Sequence, residues 1–283
     1  QRVAEARARR PLEELERQLL PLLDRHGIYV IVTPWDPFWM ERRWAESPYN
    51  RRNGGPLDRL EDFLTHPDMR RWHRERFRLM IDELGHSPRV LAWELFNEPD
   101  VDRLSPLACY GDKGDAYYGG GDYAQMLMAV YPALKTEDPS TKVLIGGLLL
   151  DCDPSNPPTG KDCTPSRFLE GILRAGAAEF FDGVSFHAYD YYVSEGKYVN
   201  NNWWSGSTTT GPVVIAKARF LTDVLARYGV TGKIFMNTES ALICGASGTE
   251  PPCLTDQFEQ TKAAYVTQAI VSAASQGLSA NVW

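Results

Sequence analysis

The sequence has no apolar run near the roughly 20 residues that a membrane-spanning helix needs, so no bilayer span is expected. It has no excess of positive charge: 30 Lys and Arg stand against 37 Asp and Glu, a formal net charge of −7. Phosphate-binding surfaces are usually basic, so nucleic acid is not expected as a partner. The Arg-rich start (Arg2, Arg7, Arg9, Arg10) is interleaved with Glu5, Glu13, Glu14 and Glu16 and reads as a solvated helix face. The first residues are charged, so no signal peptide is expected in this chain. No GxGxxG follows an early strand pattern, which removes the signature of a dinucleotide-binding fold. Neither HExxH nor paired CxxC occurs, so the sequence offers no metal-ligand spacing, and no metal or other cofactor is expected.

Cysteine is sparse, with five residues, but its placement is informative. Cys152 and Cys163 bracket the turn-rich segment CDPSNPPTGKDC, and Cys244 and Cys253 bracket CGASGTEPPC. Both pairs close short polar loops, which predicts two local disulfides and an exported, extracytoplasmic protein. Cys109 is left over. The alternative is a set of reduced thiols in a cytosolic chain.

What is abundant is alternation. With 43% hydrophobic and 24% charged residues over 283 positions, the chain has the composition of a globular protein, long enough for one α/β barrel or two small domains. Leu12, Leu15, Leu19 and Leu23 repeat at helical spacing before the strand-like GIYVIVTPW (27–35). Thr65 and Asp68 resemble a capping box ahead of a helix bearing Met69, Trp72, Phe77, Met80, Ile81 and Leu84, with Gly85 after it. Further apolar strands are expected at 90–96, 142–147, 183–189, 233–237 and 279–283, with helices over about 122–134, 166–178, 213–228 and 256–276. Strands alternating with helices predict a parallel sheet, and the long segments after the strands predict the active face of a (β/α)8 barrel. Six strands are counted where that barrel needs eight, so the expected fold is α/β, a (β/α)8 TIM barrel lacking its first two strands in this chain. The expected organisation is a single catalytic domain over 1–283.

Carboxylates stand at the C-terminal ends of two of these strands. VLAWELFNEPD (90–100) ends its apolar run in Asn97, Glu98 and Pro99, and KIFMNTES ends in Thr238 and Glu239. His187 and Tyr189 end a third strand and Trp283 the last. In a barrel all these ends meet at one rim. Two facing carboxylates about 5–5.5 Å apart are what a retaining glycosidase requires, one as proton donor and one as nucleophile. Pro99 stops the strand and fixes the turn that presents Glu98. Trp35, Phe38, Trp39 and Trp44 crowd one loop, and Trp203 and Trp204 another; exposed, they would stack on sugar C–H faces, and buried, they would be loop packing.

WELFNEPD, SFHAYD and MNTES together resemble clan A of the retaining glycoside hydrolases, most nearly the cellulase-like family 5, with family 39 second. The resemblance implies Glu98 as acid/base on the fourth strand and Glu239 as nucleophile on the seventh. It implies Asn97 as a ligand of the sugar 2-hydroxyl, His187 and Tyr189 lining the subsite with the Tyr189 hydroxyl near Glu239, and Trp283 as the platform beneath the sugar. Trp35 and Trp203 complete the expected substrate-binding set. The family's supporting arginine on an early strand has no match in this chain. The expected partner is a β-linked polysaccharide or oligosaccharide. The rival readings are a non-catalytic carbohydrate-binding barrel, a β-xylosidase-like exo-glycosidase of the same clan, and a metal-dependent hydrolase, for which only His187 stands at a strand end.

Overall fold

The computed structural model describes residues 15–63, 66–101, 110, 114–203 and 211–283. The Thr65 cap, Cys109, Trp204 and most of the Arg/Glu-rich start lie outside the described residues. The chain divides into two compact units, one of residues up to Asn97 with Met126–Leu144, the other of Glu98–Gln125 with Ile145–Trp283.

In the first unit, β1 (Val30–Val32) pairs parallel with β2 (Val90–Glu94), and β2 pairs parallel with the first residues of β3 (Val143–Leu148). The helix Met69–Leu84 packs Leu79, Met80 and Leu84 on Trp93 of β2. Its apolar residues recur at three and four positions, so one stripe faces the strands.

The second unit holds the remainder of β3, then β4 (Gly183–Ser194), β6 (Ile234–Ile243) and β7 (Ala280–Asn281), with the order β3-β4-β6-β7. β4 and β6 run parallel from Gly183↔Ile234 to Tyr191↔Ile243, and β6 and β7 pair parallel at Met236↔Ala280. Helices Val214–Arg227 and Asp256–Ser275 supply the crossovers. Thr255 caps the latter, its hydroxyl accepting from the Phe258 amide at 3.2 Å. A short antiparallel strand, β5 (Lys197–Val199), folds back on the end of β4. The sequence reading did not include it. Its signal was Gly196, whose φ of 65° makes the tight reversal.

The described residues therefore contain six strands of the parallel series, alternating with helices, as expected for the (β/α)8 class. Both expected disulfides, Cys152–Cys163 and Cys244–Cys253, are formed, each closing a loop that follows a strand of the second unit. Among the described residues no helix is long and apolar enough to cross a membrane.

Candidate active site

Four side chains of the second unit meet: His187 and Tyr189 inside β4 and Glu239 inside β6, both strands running past the ends expected from sequence, and Glu98 in the turn after Asn97. His187 is fully buried on β4, and its Nδ1 lies 2.8 Å from Glu98 Oε1. Its Nε2 lies 3.6 Å from Glu239 Oε1. The Tyr189 hydroxyl donates to Glu239 Oε2. One ligand atom each from Glu98, His187 and Glu239 falls within 4.8 Å of the others, so a single imidazole bridges two carboxylates. Glu98 is 26% and Glu239 47% exposed, so both open to solvent above the buried ring.

Local backbone chemistry aims each group. Along β4, residues 185, 187, 189 and 191 share one face, and exposure rises along it from Ser185 and His187 to Tyr189 and Tyr191. The β4–β6 register slips between Phe186↔Asn237 and His187↔Glu239, leaving Thr238 as the extra residue of a bulge. A bulge of one residue turns the following side chain to the other face, so Glu239 stands opposite His187. The fully buried Asn237 amide, oriented by its hydrogen-bond network, donates to the carbonyls of Phe186 at 2.9 Å and Glu239 at 2.8 Å. This fixes the main chain at the bulge.

Glu98 has φ of 45°, the left-handed region that non-glycine residues rarely occupy. The turn is held by the Glu98 amide donating to the Gly147 carbonyl at 3.0 Å and the Val101 amide donating to the Glu98 carbonyl at 3.1 Å. Such strain marks a position fixed by its surroundings. The buried Asp100 carboxylate accepts from the Leu149 and Leu150 amides at 2.7 and 2.9 Å. Burial first, and Glu98 second, push its carboxyl up to about 6. Lys217, also buried, donates to the carbonyls of Leu149 and His187 at 2.7 and 2.8 Å. It thereby ties the end of β3 to the strand that carries the imidazole. Burial lowers its ammonium to about 8 against the raising influence of Asp100, Asp151, Asp190 and Glu98. Burial and Glu239 push the Tyr189 phenol up, so it remains a donor to Glu239 throughout the physiological range.

Asn97 belongs to the first unit, where its amide donates to the Trp35 carbonyl at 3.0 Å. Two expected sugar platforms are corrected. Trp35 is 3% exposed, edge-on to Phe77 at 4.6 Å and against Phe63 and His73. Trp203 is 7% exposed, its indole N–H bound to the Leu150 carbonyl at 2.6 Å and its ring on Phe220. Both rings stabilise loops by packing and present no open face to a sugar. Trp283 is half exposed, with its ring against Tyr265 at 5.7 Å. Asn237, Gly147, Asp100 and Lys217 were not singled out in the sequence; Asp100 alone carried a signal, two residues beyond Glu98.

Among the described residues, Glu98, His187 and Glu239 are also the one group of His, Cys, Asp or Glu donors placed to share a cation. An imidazole and two carboxylates suit zinc or a similar ion.

A second buried carboxylate gives a test of the surrounding electrostatics. Asp190 Oδ2 accepts from the Val213 amide at 2.9 Å and the Tyr265 hydroxyl at 2.8 Å, while Oδ1 is buried without a hydrogen bond. Burial raises its pKa from 3.8 to about 6. The folded state then holds the extra proton, so stability falls as pH rises through this window. Two pKa units correspond to about 3 kcal/mol at most. Asp190→Asn keeps the accepting oxygen and removes the titration. Its unfolding free energy in urea, relative to wild type, should improve by up to about 3 kcal/mol between pH 4 and pH 7. A pH-independent difference would show that Asp190 titrates alike folded and unfolded.

No protein-family model and no curated protein matches the sequence. Solved structures do match. A hyperthermostable endo-1,4-β-D-mannanase from Thermotoga petrophila RKU-1, with maltose and glycerol, superposes with a TM-score of 0.58 at 14% identity, covering 95% of this chain and 67% of its own. The endo-1,4-β-mannanase from Rhizomucor miehei gives 0.51 at 16% identity, covering 93% and 64%. This chain thus spans about two thirds of the length of each. At such identities the likeness shows the fold, a TIM-barrel-like α/β architecture.

Proposed function

We propose that this chain is the catalytic part of a retaining glycoside hydrolase acting on β-1,4-linked glycans, with Glu98 as acid/base and Glu239 as nucleophile. The observation that carries the reading is that one oxygen of Glu98 and one of Glu239 lie within 4.8 Å of each other beside His187, which supports a close pair of carboxylates. Retaining enzymes hold their carboxyl groups about 5–5.5 Å apart, whereas inverting enzymes leave about 6.5–9.5 Å for a water. The fold shared with two mannanases supports the reading and makes mannan the first substrate to test. Two disulfides favour an exported protein.

In the first step Glu239 attacks the anomeric carbon, and the bond to the glycosidic oxygen breaks. The proton of Glu98 passes to that oxygen. In the second step water adds to the anomeric carbon and gives its proton to Glu98. As the water oxygen bonds, the ester bond to Glu239 breaks, restoring both groups. In the tautomer with its proton on Nδ1, His187 donates to Glu98 Oε1, and the second oxygen of Glu98 is assigned to the leaving group. Tyr189 fixes the plane of Glu239. Trp283, half exposed in the same unit, is the proposed platform beneath the sugar.

The test is hydrolysis of β-1,4-mannan, cellulose and xylan oligosaccharides in the presence of EDTA, with the product anomer followed by proton NMR. The expected first product is the β-anomer. An initial α-anomer would overturn the retaining assignment, and loss of turnover on chelation would favour a metal-dependent hydrolase. Glycan binding with no turnover would favour a non-catalytic carbohydrate-binding barrel.

A further inference from the structure

Resting on the glycosidase reading, we infer that Tyr191, Asp151 and Lys161 form an additional sugar-binding subsite, one step along the cleft from the paired carboxylates. Tyr191 is the next residue after Tyr189 on the same face of β4, displaced by about 7 Å along the strand. Tyr191 is 46% exposed, whereas Trp203 beside this segment is turned inward. A phenol with an open face beside a polar rim matches what a pyranose offers, an apolar C–H face edged by hydroxyls.

The polar rim is built and held. Asp151 follows β3, and its Oδ2 lies 2.8 Å from Lys161 Nζ. Lys161 sits in the loop that Cys152–Cys163 closes. That loop is laced to the turn after β5. The Asp153 amide donates to the Asn202 carbonyl at 3.0 Å, and the Trp203 indole donates to the Leu150 carbonyl at 2.6 Å. The turn is pinned in its own right, because Asn200 Nδ2 donates to the Tyr189 carbonyl at 2.8 Å and the Asn202 amide donates to Asn200 Oδ1 at 3.1 Å. Tyr191 lies within electrostatic range of Asp151: burial first, then the negative charges of Asp151 and Asp190, push its phenol up. Asp151 and Lys161 are each about one-third exposed, so acceptor and donor remain available together. A vicinal diol can use both, donating to the carboxylate and accepting from the ammonium. A rigid wall of this kind binds without the ordering cost of a free loop. The substrate class that follows is an oligomer spanning several sugars, not a simple monosaccharide glycoside.

The experiment compares Tyr191→Ala, Asp151→Asn and Lys161→Met in the full chain on β-1,4-manno- and cello-oligosaccharides of two to six units. The fall in kcat/KM should deepen with chain length, the hexaose losing at least ten-fold more than the dimer. In parallel, titration calorimetry of mannohexaose and cellohexaose uses the Glu239→Gln background, so that binding is read without turnover. A ten-fold or greater weakening by Tyr191→Ala supports the subsite. Equal losses at every chain length, unchanged hexaose affinity, or no binding of either hexaose would overturn it. Binding that depends on Tyr191 in a wild-type protein without hydrolysis would sink the hydrolase reading and leave the subsite standing.

Discussion

Glu239→Gln is expected to lower kcat by about 10⁴-fold or more, the scale seen when a nucleophile is removed from a preorganised site. The amide cannot form the glycosyl ester, and among the described residues the other carboxylate grouped with Glu239 is Glu98, which is engaged by His187. The loss should be independent of the leaving group. Glu98→Gln should behave differently. Its defect is the missing proton, so aryl β-glycosides with acidic phenols, which depart without protonation, should retain far more activity than unactivated oligosaccharides. Measuring kcat for both variants across a series of aryl glycosides separates the roles. Retention of more than about 1% of wild-type kcat by Glu239→Gln, two decades short of the expected loss, would remove Glu239 from the nucleophile's position. A flat response of Glu98→Gln to leaving-group acidity would remove Glu98 from the proton donor's.

These two glutamates were readable from the sequence because a short apolar run ending in a carboxylate is a one-dimensional pattern. The same holds for His187 and Tyr189, two residues apart on one strand face, and for the cysteine pairs, whose loops are closed by neighbours in sequence. What the sequence concealed depends on partners far along the chain. Lys217 lies in the first turn of an amphipathic helix, where a lysine ordinarily faces water; the carbonyls of Leu149 and His187 and the carboxylates around it account for its burial. The bulge at Thr238 leaves no mark in the alternation of NTES, yet it sets which way Glu239 faces. The aromatic loops failed for a different reason. Tryptophan near a cleft satisfies two opposite demands, packing and sugar stacking, and composition does not separate them. Trp35 found Phe63, His73 and Phe77, and Trp203 found Phe220 and a carbonyl, whereas Tyr191 stayed open.

Gly147→Ala is the second large effect. A Cβ at this position would lie 2.2 Å from His187 Nε2 and 3.0 Å from its Cδ2 and Cε1. The ring is fully buried, and its Nδ1 is bound to Glu98, so retreat from the methyl group moves Glu98, the proposed acid/base, with it. The carbonyl of the same glycine accepts from the Glu98 amide, so strain at this point reaches the left-handed turn by two routes. Overpacking of this kind costs about 1–3 kcal/mol. Displacement of a catalytic group by about 1 Å can cost 10²-fold in rate. We expect kcat/KM to fall by about 10²-fold, with unfolding in urea shifted to lower concentration. A double-mutant cycle with His187→Ala identifies the cause. Without the imidazole there is nothing for the methyl group to strike, so Gly147→Ala in the His187→Ala background should be nearly neutral for stability. Equal penalties in both backgrounds would mean that the strand itself, and not the histidine beside it, requires glycine.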